Sequence, residues 1–231
     1  MKRLATMIIG SIALVAIAGT ASAGLRSPQV VVNGGTLQGY LNGVGESINV
    51  LTDQLDIQRW QSTVSQNATF TIQVEFAGNA GTNTYGIYNA SLVSPPLYQC
   101  FPGAATNQWF CVCAFRSSPT RVTVSLFDNN AAFQGQTTYL GADRTNFGFY
   151  LQQNPGLVFY SQDARNPGGL AQVLTYAGTG INAGNWWICF EDQTQSQGSD
   201  YDFDDAVLFC ESLTPTPVNK TSWGSLKARF K

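Results

Sequence analysis

Histidine is absent from this chain of 231 residues, and its absence restricts the possible chemistry more than any motif does. Without it, the protein cannot contain a His-based catalytic triad, a His-ligated zinc ion or an imidazole that acts as general acid or base. Any chemistry must therefore depend on carboxylates, on Tyr, Ser or Thr hydroxyls, or on a bound ion.

Charged residues are also scarce, at 11% of the chain, so Gly, Ser, Thr, Asn and Gln supply most of the polarity. Twelve basic residues stand against fourteen acidic ones, which gives a net charge of −2. Proteins that bind nucleic acid carry clustered Lys and Arg, so we do not expect this chain to bind nucleic acid. The composition is typical of secreted β-proteins.

Only the N-terminus contains a long hydrophobic run. Residues 1–23 combine the basic pair Lys2 and Arg3, the apolar stretch MIIGSIALVAIAG and the small residues ASA, which is the pattern of a cleaved export signal. The apolar stretch is too short for a comfortable membrane span. We therefore expect a secreted or cell-surface protein that starts at Gly24 with a net charge of −4 and has no membrane span after signal removal.

Short apolar segments then alternate with turns rich in Gly, Asn, Pro and Asp, and this pattern predicts antiparallel strands. In NATFTIQVEFAG, the residues expected on one buried face are Phe70, Ile72, Val74 and Phe76. Further strands are predicted in TYGIYNAS, QWFCVCAF, RVTVSLF, FGFYLQQ, LVFYSQD, AQVLTYAG, WWICFED and AVLFCES. The fold is therefore predicted to be all-β, a single β-sandwich or jelly-roll-like domain over residues 45–213. Residues 24–44 are expected to form an edge strand or an ordered lead-in.

The C-terminal residues 214–231 differ in composition from the rest of the chain. TPTPVNK is expected to be an extended linker, and TSWGSLKARFK combines basic and apolar residues at rough helical spacing. One interpretation is a short amphipathic tail helix that rests on the domain. The other is a sorting signal, or a segment that docks on an acidic surface of the same or a neighbouring molecule. The residues concerned are Trp223, Leu226, Lys227, Arg229 and Phe230.

Five cysteines follow the signal sequence, and in an exported chain they are expected to pair. Cys189 and Cys210 lie on segments predicted to be neighbouring strands, so a bridge between them is favoured. Cys100 would then pair with Cys111 or Cys113 and leave one thiol over. Both residues of Cys111-Val-Cys113 should face the same side of a strand, and a Cys-x-Cys metal or redox site is the alternative to pairing there.

Six of the fourteen acidic residues fall within fifteen consecutive positions, and no Lys or Arg occurs between Arg165 and Lys220. In an extended chain Asp200, Asp202 and Asp204 would point to one side, about 7 Å apart. Tyr201 and Phe203 would point to the other side, where a core could hold them. Such carboxylates repel each other unless the loop curls around a cation. Oxygen ligands without His or Cys favour Ca²⁺. The predicted ligands are Glu191, Asp192, Asp200, Asp202, Asp204 and Asp205.

The spacing of these acids also matches part of an EF-hand loop, whose last ligand would be Glu211. We reject this interpretation because the position that requires Gly for the sharp turn is Asp205. The β-prone segment AVLF should also carry Glu211 about 20 Å away along a strand. The alternative to a calcium site is a solvated acidic loop that binds no ion.

Two stretches, FGFYLQQNPGLVFYSQDARNPGGLAQVLTYAG and WWICFEDQTQSQGSDYDFDDAVLF, resemble a domain of unknown function found in secreted bacterial proteins. The shared pattern is a GFYL-type strand, Y-S-x-D…N, F-E-D, a Gly-rich gap and D-x-D-F-x-D before a hydrophobic strand. TFTIQVEFAG and NTYGIYN also fit, so the resemblance covers roughly residues 45–213.

This resemblance implies a calcium-associated β-sandwich without established catalysis, of the kind found in cell-surface, matrix and adhesin proteins. The six acidic residues match the most specific part of the family signature. Many such proteins end in a Pro-Glu-Pro motif and a transmembrane anchor, and this chain lacks both. The chain has the tail TSWGSLKARFK in their place, so the resemblance does not extend to covalent anchoring.

Three functions remain open from the sequence. The first is a non-enzymatic module for cell-surface or matrix adhesion or ligand binding, with calcium shaping its rim and aromatics that stack on a sugar or hold a peptide. The second is a self-associating structural subunit of a matrix, coat or filament. The third is a glycosidase that uses two carboxylates. The aromatics considered for the first are Tyr160, Trp186, Trp187 and Tyr201.

Overall fold

A computed structural model describes residues 24–77, 80–154 and 156–216 of the chain. These residues form two antiparallel sheets and a single α-helix, so the prediction of an all-β sandwich is confirmed. No helix in the described ranges is long and apolar enough to cross a membrane. The predicted signal sequence and the predicted tail helix lie outside the described residues.

Every segment that was predicted to be a strand contains one, and four more strands complete the sheets. The helix α1 spans Thr36–Gly43. The strands are β1 Trp60–Ser62, β2 Asn67–Val74, β3 Thr84–Asn89, β4 Leu97–Phe101, β5 Phe110–Ser117, β6 Thr120–Phe127, β7 Phe133–Leu140, β8 Phe147–Gln152, β9 Val158–Tyr160, β10 Val173–Ala177, β11 Trp186–Phe190, β12 Ala206–Glu211 and β13 Leu213–Pro215. Short 3₁₀ turns occupy Asp163–Arg165, Pro167–Gly169, Gly180–Asn182 and Gln195–Gln197.

The two sheets face each other across an aromatic core. Sheet 1 has the order β13-β1-β8-β3-β4, with β9 also paired to β8, and sheet 2 has the order β10-β11-β12-β2-β5-β6-β7. Phe70 of sheet 2 meets Phe149 of sheet 1 with ring centroids 5.1 Å apart, and the ring centroid of Trp60, also in sheet 1, lies 5.0 Å from that of Phe149. The period-2 alternation of apolar residues therefore supplies the main core, as expected for a sandwich.

A β-bulge changes the predicted burial pattern near the end of β2. The pairing with β12 passes from Ile72–Leu208 to Val74–Val207, so Gln73 is an extra residue in β2. Phe70 and Ile72 face the main core, but Val74 now packs in a second core on the outer face of sheet 2. The prediction of one shared face is therefore wrong for Val74, and also for Phe76, which lies beyond the strand and is exposed.

Residues 24–56 cover the outer face of sheet 2 and create this second core. Leu37 and Leu41 lie one helical turn apart on α1 and are fully buried against the sheet, together with Trp187 and Val207. The region expected to be an edge strand or an ordered lead-in therefore contributes a helix. A stretch of eight residues is too short to show a clear 3.6-residue pattern in sequence.

The favoured bridge between Cys189 and Cys210 is wrong, because all five cysteines are free and buried. β11 and β12 do pair, but their register sets Cys189 opposite Val207 and Cys210 opposite Trp186. The two thiols therefore belong to opposite faces of sheet 2, Cys210 to the main core and Cys189 to the outer core.

The other three cysteines meet inside the main core. Cys111 and Cys113 face the same side of β5 as predicted, and the sulfur of Cys113 lies 3.8 Å from that of Cys100 and 3.9 Å from that of Cys111. No pair is at disulfide bonding distance, which is about 2.05 Å. The three sulfurs all lie within 4.8 Å of one another, which is close enough to share a metal ion. Burial raises the pKa of Cys111 and Cys113 well above the usual thiol value, whereas hydrogen bonds with these two thiols lower the pKa of Cys100 to about 5. The Cys-x-Cys metal site therefore stays a prediction.

Glu46 fastens the N-terminal segment to sheet 2. Its carboxylate accepts hydrogen bonds from Thr179 N (2.6 Å), Thr179 Oγ1 (2.5 Å), Asn182 Nδ2 (2.7 Å) and Trp187 Nε1 (2.8 Å), and only 5% of the residue is exposed. Burial by itself would raise the pKa of Glu46, but these hydrogen bonds stabilise the ionised form and lower it.

Replacing Glu46 by Gln should reduce the free energy of unfolding at pH 7 by about 1–3 kcal/mol. The Gln amide would place an N–H donor where the carboxylate oxygen now accepts hydrogen bonds, so one or more of those bonds would be lost. The pKa of Glu46 is lower in the folded chain than in the unfolded chain, where it is about 4.3. Its carboxylate therefore stabilises the fold at pH values above about 4.3, and this stabilisation is lost as the pH falls through the pKa of the folded state. Urea unfolding of both chains from pH 7 to pH 3 should show the difference shrinking below about pH 4. An equal deficit at pH 3 and pH 7 would contradict this role of the carboxylate.

Candidate metal centre

The acidic residues gather where the hairpin of β11 and β12 opens. Phe190, the last residue of β11, pairs with Ala206, the first residue of β12. Glu191 and Asp192 therefore leave the sheet next to Asp204 and Asp205, which arrive at it. Sequence alone supports this part of the site, because hairpin partners bring the residues that flank them together.

The loop between the two strands is curled and not extended. Tyr201 has φ 57° and Phe203 has φ 58°, a left-handed conformation that bulky residues rarely adopt. Phe203 is completely buried in the outer core, and Tyr201 packs beside it, as the sequence predicts. The left-handed residues turn the chain twice, so the intervening aspartates converge and do not remain about 7 Å apart.

The N-terminal segment holds the curled loop in place. Asn33 donates its backbone N–H to Tyr201 O at 2.8 Å and its side-chain amide to Asp200 O at 2.5 Å. The other side of the loop is a 3₁₀ turn in which Thr194 N donates to Gln197 Oε1 at 2.9 Å. Contacts from a distant part of the chain therefore decide the loop conformation.

The curled loop and the strand ends enclose a cavity of about 290 Å³ at this rim. All six predicted acidic residues line it, and we call this cavity the acidic rim. Its lining residues are Thr36, Phe76, Glu191, Asp192, Gln193, Gly198, Asp200, Asp202, Asp204 and Asp205. No Lys or Arg is among the described residues that line the cavity.

Two sets of three carboxylates within the acidic rim are close enough to share a cation. One ligand oxygen from each of Glu191, Asp200 and Asp202 lies within 4.8 Å of the other two. The same holds for Glu191, Asp192 and Asp205. Oxygens on one Ca²⁺ ion, each 2.3–2.6 Å from it, lie at most about 5 Å apart. The spacing therefore suits a hard cation.

Two buried carboxylate oxygens at the rim lack a hydrogen-bond partner within the described residues. They are Oε2 of Glu191 and Oδ2 of Asp204, on residues only 1% and 3% exposed. An unpaired buried carboxylate oxygen is costly, so native proteins rarely leave one without a donor or a cation. These two atoms are buried, whereas the carboxylate oxygens of a solvated acidic loop contact water.

Burial and mutual repulsion both disfavour the ionised carboxylates at this site. Burial, followed by the charges of Asp200 and Asp202, raises the pKa of Glu191 to about 7. Burial, followed by the charge of Asp202, raises the pKa of Asp204 to about 7 as well. Burial is also the main cause of the raised pKa of Asp205. The surroundings of these three carboxyl groups therefore favour the protonated form more than water does.

Several residues around the rim are not indicated by the sequence pattern. Glu75 accepts a hydrogen bond from Tyr85 Oη at 2.6 Å, and burial raises the pKa of Glu75 to about 7. Asn83 Nδ2 donates to Asp192 Oδ2 at 2.7 Å. Glu75 follows the bulge at Gln73, and because this bulge is visible only in the strand pairing, no local sequence pattern indicated Glu75.

The other residues proposed from sequence lie elsewhere. Glu211 ends β12, five strand positions from Ala206, in agreement with the rejection of the EF-hand. Trp187 is buried and bonded to Glu46, and Trp186 is at the end of β11 farthest from the rim, so neither is a rim aromatic. Tyr160 packs on Tyr88 in a separate cluster. The basic tail lies outside the described residues.

Comparison with known proteins does not add a relative: no family model, no curated protein and no solved structure matches this chain. The resemblance to a secreted bacterial domain therefore stays a prediction. The fold and the geometry of the acidic rim are the basis for the functional assignment.

Replacing Asp202 by Asn should stabilise the ion-free protein, because it removes one of several like charges that repel each other. Asn retains the oxygen that accepts a hydrogen bond from Asp204 N at 3.2 Å. In EDTA we expect the melting temperature to rise by about 1–3 °C, equivalent to roughly 1 kcal/mol or less. The matched control is Asp56→Asn, an exposed acid outside the rim, which should leave it unchanged. A lower melting temperature for Asp202→Asn would show that the aspartate is not under repulsion.

Proposed function

We propose that this chain is a secreted, non-enzymatic β-sandwich module that binds Ca²⁺ at the acidic rim and uses the ion-shaped rim for adhesion or ligand binding. The observation that carries the proposal is the nearly fully buried Glu191, whose Oε2 has no hydrogen-bond partner among the described residues and stands among converging carboxylates. A cation would supply the missing partner and offset the repulsion around it.

The ligand chemistry favours calcium over other metals. The donors are carboxylate oxygens without His or Cys, which suits hard cations, and Ca²⁺ accepts the six to eight oxygens that such a crowded site offers. Mg²⁺ requires a strict octahedron and usually keeps several waters. An ion here would join the end of β11, the start of β12 and the loop held by Asn33, so it would stabilise the rim as a unit.

The surface beside the ion site suits a sugar or peptide as extracellular ligand. Phe76 lines the cavity and is 54% exposed, so an aromatic ring lies next to oxygen-rich side chains. Aromatic faces stack on sugar rings, and polar groups next to them orient the ligand. The signal-like residues 1–23 support an extracellular location, where calcium is abundant.

A glycosidase is the less suitable use of these carboxylates. Such enzymes place two carboxyl groups about 5–5.5 Å or 6.5–9.5 Å apart and keep one protonated in an apolar pocket. In each set of three at the rim the oxygens lie within 4.8 Å of one another, and the cavity wall is mostly acidic. This arrangement fits an ion better than a sugar ring, so our proposal contains no catalytic step.

The proposal predicts that 2 mM calcium raises the melting temperature relative to EDTA. If the dissociation constant is about one hundredth of that concentration, the stabilisation is about 2.7 kcal/mol, or roughly 5–10 °C. Asp202→Asn/Asp204→Asn should reduce the shift, because it removes rim carboxylates from the ion site. Differential scanning calorimetry of both proteins, with and without calcium, measures it.

The matched control is Asp56→Asn/Glu211→Gln, which removes the same charge from positions outside the rim and also tests the EF-hand ligand. This variant should retain the full calcium shift. An unchanged melting temperature of the wild-type protein in calcium would refute the calcium site. If the rim variant and the control variant lost the calcium shift to the same extent, the effect would come from net charge alone.

A second function, a self-associating structural subunit, is favoured by the edge of sheet 2 at β7, which pairs with no further strand in the described residues. β7 is the last strand of that sheet and spans eight residues, FQGQTTYL, without a charged residue or Pro. Its side chains are exposed along nearly the whole length, including Phe133 and Leu140. Natural proteins usually protect such edges with charge, because the unpaired backbone groups can pair with another strand.

If this edge mediates association, Gln136→Lys should lower the mass of the protein to that of a monomer at concentrations where the wild-type protein is larger. The control is Ser125→Lys, which places the same charge on β6 directly opposite Gln136 and off the edge. Light scattering across a hundredfold concentration range measures both. A wild-type protein that remains monomeric throughout, with calcium present, would exclude self-association through β7.

A further inference from the structure

We infer that the acidic rim holds two divalent cations, with Glu191 as the ligand that both share. This inference rests on the proposed function, because it requires that the rim binds calcium at all. It extends the proposal from one ion to a pair and assigns different residues to each ion.

The outer site would use Glu191, Asp200 and Asp202, which belong to one of the two close sets of carboxylates. Asp200 is exposed and Asp202 is half-buried, so this set opens to solvent. Its two aspartates are positioned by the curled loop, with Tyr201 and Phe203 in left-handed conformations. Solvent waters can complete the coordination there.

The inner site would use Glu191, Asp192 and Asp205, which form the second close set. These residues flank the ends of β11 and β12 and are therefore fixed by the sheet. Asp192 N donates to Asp205 Oδ2 at 2.7 Å, and Asn83 Nδ2 donates to Asp192 Oδ2 at 2.7 Å, so two members of the set are already oriented. The inner site is thus built on strand ends, whereas the outer site is built on the loop.

A single ion does not account for this arrangement. The five carboxylates do not form one group in which all oxygens lie within 4.8 Å; they form two groups that have only Glu191 in common. One Ca²⁺ ion gathers oxygens no more than about 5 Å apart, so it can serve one group but not all of both. Carboxylates that bridge two ions about 3.5–4 Å apart are common in two-metal sites.

Charge and space also favour a pair of ions. Six carboxylates line the cavity, so one divalent ion would leave up to four negative charges uncompensated, and two ions would leave at most two. The cavity of about 290 Å³ has room for two ions with several waters, because a water molecule occupies about 30 Å³. Asp204, whose buried Oδ2 has no partner in the described residues, supplies one more oxygen to the pair.

Equilibrium dialysis of the purified chain against calcium, with bound metal counted by mass spectrometry, tests this inference. We expect two Ca²⁺ ions per wild-type chain at saturation. Asp200→Asn/Asp202→Asn and Asp192→Asn/Asp205→Asn should each retain one ion. The control Asp56→Asn/Glu211→Gln should retain two.

The number of Ca²⁺ ions bound per wild-type chain tests the shared pair even if a variant does not fold. One ion per chain would overturn the shared pair and leave the proposed calcium module intact, whereas no bound ion would overturn both. A second measurement tests the shared ligand: two Mn²⁺ ions bridged by Glu191 should show spin coupling in electron paramagnetic resonance. Two uncoupled ions would place the second ion elsewhere on the protein.

Discussion

The repulsion between carboxylates at one end of sheet 2 is the interaction on which the rest of this structure depends. β11 and β12 bring Glu191 next to Asp205, and the loop between them adds further aspartates. Nothing cationic from the described chain enters the cavity. The fold holds these charges together by other means: the buried ring of Phe203, the backbone contacts of Asn33 and the ladder of the hairpin. Burial disfavours the ionised forms of these carboxyl groups and raises their pKa, and groups perturbed in this way are concentrated at functional sites.

The supporting layers are arranged around this end of the sandwich. The N-terminal segment packs on the outer face of sheet 2, where Glu46 fastens it through Trp187 and Asn33 reaches the acidic loop. The bulge at Gln73 turns Val74 into the same outer core and leaves Glu75 beside the rim. Sheet 2 ends at β7, an uncharged strand whose outer edge pairs with no strand in the described residues. The acidic rim and this edge are therefore two separate surfaces with different chemistry.

Much of the fold follows from the sequence, because an alternating strand buries its apolar face in nearly any sandwich. The strands that were not predicted show where this signal fails. β7 is exposed on both faces, so FQGQTTYL has no apolar alternation to detect. Helix α1 is buried through Leu37 and Leu41 alone, which is too few positions to define a period. The bridge between Cys189 and Cys210 was wrong because strand neighbours can be predicted from sequence, whereas their register cannot.

The sequence by itself determined the class of fold and the six acidic residues of the rim, because charge density and the hairpin around it are local properties of the chain. The tertiary structure decided what those acids do together. It buried Glu191, curled the loop so that alternate aspartates converge, and separated the carboxylates into two groups that share one residue. These features depend on contacts with residues more than a hundred positions away, such as Asn33 and Asn83, and no local pattern in the sequence encodes such contacts.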